Sequence, residues 1–79
     1  MNAESTRAAV REVVAEIVGQ RVGDAEPIVS SGLLDSLSVV KLIARLEQKL
    51  SVSIPPANLQ PEDFDTVDLI METLEREAR

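Results

Sequence analysis

Apolar residues recur at helical spacing in three separate segments of the chain. The first pattern, with apolar positions three and four residues apart, predicts an amphipathic helix over residues 8–18. A second helix is predicted from Ser36 to about Leu50, where the apolar arc is unusually wide. A third is predicted from about Thr66 to Glu77. These patterns predict an all-α fold, a small bundle of three main helices plus one short helix.

Residues that favour helix ends flank the first and last of these patterns. Ser5 or Thr6 is suited to cap the start of the first helix, and Gly19 or Gly23 to end it. Asp65 directly precedes the last pattern, and we therefore expect its side chain to be the N-cap of the last helix.

Residues 20–35 lack a helical pattern and predict a long loop. Loops longer than about 12 residues are uncommon in a compact domain and are often functional. We expect four apolar residues to anchor this loop in the core: Val22, Ile28, Val29 and Leu33.

Prolines break the chain between the second and third helices. Pro55, Pro56 and Pro61 exclude a continuous helix there, although residues 61–64, PEDF, can form one short turn. Phe64 is the only aromatic residue of the chain, and we expect it to be a core residue that holds this turn.

Composition excludes several classes of function. The 79 residues predict a single domain over residues 1–79, and they include no Cys, His, Tyr or Trp. Zinc sites lose their usual ligands, and the Ser–His and Cys–His nucleophile arrangements are impossible. We therefore expect no metal site, no catalytic constellation and no independent enzymatic activity.

Charge and hydropathy narrow the set of partners. The net charge is −6, and an acidic chain without a stacking surface of aromatic residues is a poor nucleic-acid binder. Lys41 and Arg45 interrupt the longest apolar stretch, so no membrane insertion is predicted. The first residues, MNAESTR, have no apolar signal region, and we expect a cytoplasmic protein that is monomeric.

The segment SGLLDSLSVV places a serine at the start of the second helix. Asp35 is a natural N-cap, which puts Ser36 in the first turn, beside backbone N–H groups without an intrahelical partner. The helix dipole makes this position favourable for a phosphate group. The alternative is purely structural, because Asp-Ser is common at helix starts.

The order of several motifs resembles the acyl carrier protein superfamily from end to end. A helix and a long loop precede GLLDSL, which opens the second helix. SIP comes after the second helix, and PEDFDT comes directly before the last helix. PEDFDT is most similar to the aminoacyl type, such as D-alanyl carrier proteins. Because the chain starts with its own methionine, we expect a free-standing carrier rather than a synthase module.

The resemblance implies a cofactor and a set of partners. A phosphopantetheinyl transferase would move 4′-phosphopantetheine from coenzyme A onto Ser36, with Asp35 positioning the metal and the coenzyme. The thiol of that arm would hold an acyl, aminoacyl or peptidyl group as a thioester. An adenylating or acyl-loading ligase would load it, and an acyltransferase or synthase would take it over. Phe64 would then have an alternative role in lining the path of the arm.

The second helix differs from that of fatty-acid carriers, which have an acidic docking face. Ser38 replaces the acid that follows their motif, and Lys41, Arg45 and Lys49 form a basic row. This row is either an ordinary solvated face or a surface that selects a partner. We name four residues as candidates for partner contact: Leu37, Val40, Lys41 and Arg45.

The sequence thus predicts a carrier in nonribosomal peptide, polyketide or cell-envelope biosynthesis. A fatty-acid-synthesis carrier is the alternative within the same class. From a different class, the chain could be an unmodified helical adaptor that binds a partner through its wide apolar face.

Overall fold

A computed structural model describes residues 2–79. These residues form helices and connecting loops. The three α-helices are α1 (Ala3–Val18), α2 (Ser36–Leu50) and α3 (Val67–Glu77). Two short 3-10 helices, Pro56–Asn58 and Pro61–Phe64, lie between α2 and α3. The predicted all-α bundle is confirmed, with one more short helix than expected. The predicted domain of residues 1–79 also includes Met1, which lies outside the described residues.

The start of α1 differs from the prediction. Asn2, and neither Ser5 nor Thr6, is the N-cap: its Oδ1 accepts from the Glu4 backbone N–H at 2.8 Å. Asn is among the best N-cap residues, so the helix begins several residues before the apolar pattern does. Thr6 is instead buried, and its hydroxyl donates to the Asn2 carbonyl. Gly19 ends α1 in the left-handed conformation, with φ of 87°.

The core is aliphatic except for one ring. Phe64 is fully buried, which agrees with its predicted place in the core. From α2, Leu42 and Leu46 are buried as expected, and Ile43 is half-buried. The remaining buried apolar residues come from every part of the chain: Val10, Val13, Val14, Ile28, Leu34, Val39, Ile54, Val67, Ile70 and Leu74.

An ion cluster fixes the first half of the loop between α1 and α2. Asp24 accepts hydrogen bonds from Arg7 at 2.8 Å and from Arg11 at 2.7 Å, and Arg7 also contacts Asp68 of α3 at 2.6 Å. The bonds from Arg11, and secondarily from Arg7, lower the pKa of Asp24 to about 2. The Asp24 carbonyl also accepts from the Asp68 backbone N–H at 3.0 Å, so the loop is attached to both α1 and α3 although it has no regular structure of its own.

Within residues 2–79, each helix is too short or too polar to cross a lipid bilayer.

Candidate functional site

Ser36 is exposed and is the first residue of α2. Asp35 precedes it in extended conformation, and its Oδ1 accepts from the Ser38 backbone N–H at 2.8 Å. The Asp35 carbonyl accepts from the Val39 N–H at 3.0 Å and closes the first turn. The predicted N-cap is confirmed. This cap defines where the helix begins and so places Ser36 at the positive end of the helix dipole.

Two backbone donors beside the Ser36 hydroxyl lack a protein acceptor. Within residues 2–79, the N–H groups of Ser36 and Leu37 make no hydrogen bond, and neither does Ser36 Oγ. First-turn N–H groups have no intrahelical acceptor, and here the cap satisfies only Ser38. The site therefore presents a free hydroxyl and two free donors to solvent.

The Asp35 carboxylate is ionised at neutral pH. The hydrogen bond from the Ser38 N–H is the main reason that the pKa of Asp35 is lowered, and the Lys41 ammonium contributes less. A negative charge thus stands one residue before the hydroxyl, on the side of the loop.

The loop residues that lead to Ser36 turn sharply at Gly32. Gly32 has φ of 87°, a conformation that favours glycine, and its N–H donates to the Val29 carbonyl at 3.0 Å. After this turn Leu34 enters the core with 4% exposure, and its N–H donates to the Ile28 carbonyl at 2.7 Å. Leu33, expected in the core, is 43% exposed. The prediction was wrong by one residue because the turn at Gly32 decides which leucine faces inward.

Asp65 holds the middle of the same loop. Its Oδ1 accepts three consecutive backbone N–H groups, those of Ile28 at 3.1 Å, Val29 at 2.8 Å and Ser30 at 2.9 Å. Its Oδ2 accepts from the Ser30 hydroxyl at 2.8 Å. These bonds, led by that of the Ser30 N–H, lower the pKa of Asp65. The carboxylate therefore connects the loop to the second 3-10 helix.

Asp65 was expected to be the N-cap of the last helix, and this prediction was wrong. Thr66 is the N-cap: its Oγ1 accepts from the Leu69 N–H at 3.0 Å. The two residues are neighbours and both are good caps, so only the position of the loop decides between them. The contact with residues 28–30 joins parts of the chain too far apart for a sequence pattern to indicate.

Exposed apolar side chains flank the exposed serine along the chain. Leu37 is 65% exposed and Val40 is 61% exposed, as expected for two of the four candidate contact residues. Leu33 adds a third exposed apolar side chain from the loop. We call Leu33, Leu37 and Val40 the front patch. Leu37 and Val40 are three residues apart on α2 and therefore lie on the same face of the helix.

Two of the three cations in the basic row of α2 form ion pairs with α1. Arg45 contacts Glu16 at 3.2 Å and donates to Gln48 at 2.7 Å. Lys49 contacts Glu12 at 3.6 Å. Lys41 is exposed and forms no ion pair with any residue that the structure describes. Of the predicted contact residues, Lys41 is thus free beside the front patch, whereas Arg45 already has an internal partner.

Comparison with known proteins agrees with this arrangement. Residues 8–74 match the family model described as "Phosphopantetheine attachment site". The D-alanyl carrier protein of Lactobacillus acidophilus is 29% identical over 77 residues, covering 91% of this chain and 98% of the relative. That of Streptococcus sanguinis is 31% identical over 68 residues, covering 84% and 86%. The chain belongs to the phosphopantetheine attachment-site family and is a phosphopantetheine-dependent carrier protein.

Proposed function

We propose that Ser36 is the residue to which 4′-phosphopantetheine is attached. The observation that carries this proposal is the exposed Ser36 hydroxyl, which has no hydrogen-bond partner within residues 2–79 and lies at the N-terminus of α2. The chain has no cysteine, so the thiol that forms a thioester with the cargo is supplied by the bound group.

The residues around Ser36 fit such a group. The unpartnered N–H groups of Ser36 and Leu37 can donate to a phosphodiester, and the helix dipole stabilises its negative charge. Asp35 keeps the helix start in place through its bond to Ser38. Because Asp35 is exposed and ionised, it can also help to bind the metal ion of a phosphopantetheinyl transferase, as the family resemblance implies.

Intact-mass measurement tests the attachment site. The protein is incubated with coenzyme A and a broad-specificity phosphopantetheinyl transferase, and we expect a gain of one phosphopantetheine. Ser36→Ala should abolish the gain, and Ser38→Ala, which changes a serine in the same helical turn, should retain it. Modification of a folded Ser36→Ala variant would contradict the proposal. A folded wild-type chain that gains no mass would favour the unmodified adaptor.

We further propose that the carrier docks on its enzymes through the front patch and Lys41. Leu37 and Val40 lie within the first two turns of α2, next to the attachment residue, and are largely exposed. Lys41 adds one positive charge that forms no ion pair within residues 2–79. Arg45 lies one turn further along, so a partner would reach it only by displacing Glu16.

The cargo that we propose is a small aminoacyl group, loaded by an adenylating ligase and passed to an acyltransferase or synthase. The relatives named D-alanyl carrier protein support this class, which includes cell-envelope and nonribosomal peptide chemistry. Glu47, the one acidic residue of α2, accepts from the Ile54 N–H at 2.9 Å, so α2 offers no acidic docking face. This argues against the alternative, a fatty-acid-synthesis carrier. We also propose that the protein acts in the cytoplasm, because the proposed attachment reaction uses coenzyme A.

Competition between loading enzymes tests the cargo class. The modified protein is offered D-alanine, ATP and a D-alanine–carrier ligase, or a fatty acid, ATP and an acyl–carrier synthetase. We expect faster thioester formation with the amino acid, measured by intact mass before and after hydroxylamine treatment. Preferential loading with the fatty acid would support the alternative and would leave the Ser36 assignment unchanged.

A further inference from the structure

A groove of about 600 Å³ opens at the other end of the molecule from Ser36. It lies between the start of α1, the end of α2 and one face of α3. Leu50, Val52, Met71 and Leu74 give it an apolar lining. Since α2 rises about 1.5 Å per residue, Leu50 lies roughly 20 Å from Ser36 along the helix. We call this feature the rear groove.

Carboxylates border the rear groove. Glu72 and Glu75, three residues apart on α3, both line it and are exposed. In the part of the chain that the structure describes, neither forms an ion pair. Among residues 2–79, the one cation of the lining is Arg7, which is held at 2.8 Å by Asp24 and at 2.6 Å by Asp68. The groove thus combines an apolar lining with two carboxylates that no described residue neutralises.

This combination specifies the chemistry of an occupant. Apolar side chains with cations beside them, at intervals of three and four residues, form one face of a basic amphipathic helix. An anionic amphiphile or an anionic membrane surface would be repelled by Glu72 and Glu75. A volume of about 600 Å³ accommodates several aliphatic side chains of such a helix.

We propose that the rear groove binds a basic amphipathic helical segment of a partner enzyme. Its distance from Ser36 means that this contact and docking at the front patch do not compete for the same surface. A partner held in the rear groove would retain the carrier while Ser36 remains open to a second enzyme, and it would raise the effective concentration of the carrier at that enzyme. This proposal goes beyond the proposed function and does not require that Ser36 be modified.

A titration with designed peptides tests the proposal. Binding is detected through the amide NMR chemical shifts of the isotope-labelled, unmodified protein. The probe is a helical peptide with Leu at positions i, i+3, i+4 and i+7 and Lys at the remaining positions. The control peptide has Glu in place of Lys. We expect saturable shifts confined to residues 3–7, 50–52 and 68–78 with the basic peptide, and none with the acidic one.

Matched variants separate the rear groove from general charge attraction. Glu72→Lys should weaken binding of the basic peptide by about three- to tenfold, the range expected for one unfavourable charge contact at a rim. Glu62→Lys changes the net charge equally at an exposed position in the second 3-10 helix, and it should change affinity less than twofold.

Several results would overturn the proposal. The first is amide shifts centred on residues 33–41. The second is an equal loss of affinity for the basic peptide in the Glu62→Lys and Glu72→Lys variants. The third is a titration with the basic peptide that does not saturate. Shifts in residues 68–78 that depend on protein concentration without peptide would also overturn it, because they would make a second copy of the chain the occupant. None of these results bears on the mass test at Ser36, so failure of one proposal is distinguishable from failure of the other.

Discussion

Replacing Asp65 by Ala removes the contact that connects the α1–α2 loop to the rest of the domain. The carboxylate accepts three backbone N–H bonds between 2.8 and 3.1 Å and one hydroxyl bond at 2.8 Å. The stabilisation lost in Asp65→Ala is smaller than that of four complete hydrogen bonds. The Ile28 N–H keeps a second acceptor, the Asp65 carbonyl at 2.7 Å, and water can reach the exposed Ser30. The half-buried Val29 N–H is left without an acceptor.

These contacts set the magnitude of the effect. One half-buried donor without an acceptor, together with the loss of charge-assisted bonds, corresponds to a decrease of about 2–3 kcal/mol in the free energy of unfolding. For a domain of this size that is a fall of about 10–20 °C in Tm. Asp65→Asn retains one acceptor oxygen without the charge, and we expect it to lose about 1–1.5 kcal/mol.

Urea unfolding followed by far-ultraviolet circular dichroism measures these values, because the chain has neither Trp nor Tyr for fluorescence. Ser30→Ala removes the hydroxyl bond alone and should cost less than Asp65→Asn. Glu62→Gln removes a neighbouring exposed charge that forms no ion pair within residues 2–79, and it should leave stability unchanged. If Asp65→Ala is no less stable than Glu62→Gln, the proposed role of the carboxylate is refuted.

The dependence on pH provides an independent check of the same contact. Because the pKa of Asp65 is lower in the folded state than in the unfolded chain, its stabilisation is present above the unfolded pKa of about 4. It is lost as the pH falls through the folded pKa. Asp24 and Asp35, whose pKa values are also lowered, add to the acid sensitivity of the wild type. The difference in stability between wild type and Asp65→Ala isolates Asp65, and it should shrink below about pH 4.

Other substitutions test the remaining contacts. Ser51 ends α2 with φ of 54°, so Ser51→Gly should raise the free energy of unfolding by about 0.5–1 kcal/mol; a loss would show that the left-handed conformation carries no strain. Buried Thr73 donates to the Asp63 carbonyl at 3.0 Å, so Thr73→Val should cost about 1 kcal/mol in urea unfolding, and an unchanged midpoint would contradict this. Lys41→Glu should slow thioester loading by the cognate ligase several-fold at unchanged stability. Arg45→Glu should instead lower the free energy of unfolding by up to about 1 kcal/mol. Equal loading defects in the two variants would indicate that the docking surface includes the whole basic row.

Local features of the sequence predicted the helices and the position of Ser36. The apolar period fixes which side of α2 faces inward, and Asp35 caps the residue three positions along, a contact within one turn. The motif, the N-cap and the start of α2 therefore all fall at Asp35 and Ser36, and the family resemblance includes the same residues.

Contacts between distant residues could not be predicted in this way. Asp65 and Thr66 are both good N-caps, and the choice between them depends on where residues 28–30 lie in the folded protein. Leu33 and Leu34 are equivalent in sequence until the positive φ of Gly32 turns one outward. The error at Asp65 concerned a contact between distant parts of the chain, whereas the Asn2 cap of α1 and the turn at Gly32 are local features that the apolar pattern alone does not indicate.

Lys41 forms no ion pair with the described residues, and the antiparallel packing of α1 on α2 explains why. Arg45 pairs with Glu16 and Lys49 with Glu12, so a step of four residues along α2 matches a step of four in reverse along α1. The same register would place Lys41 beside residue 20, but α1 already ends at Val18 and that residue is glutamine. The three cations are equivalent in the sequence, and the length of α1 leaves the one nearest Ser36 available to a partner.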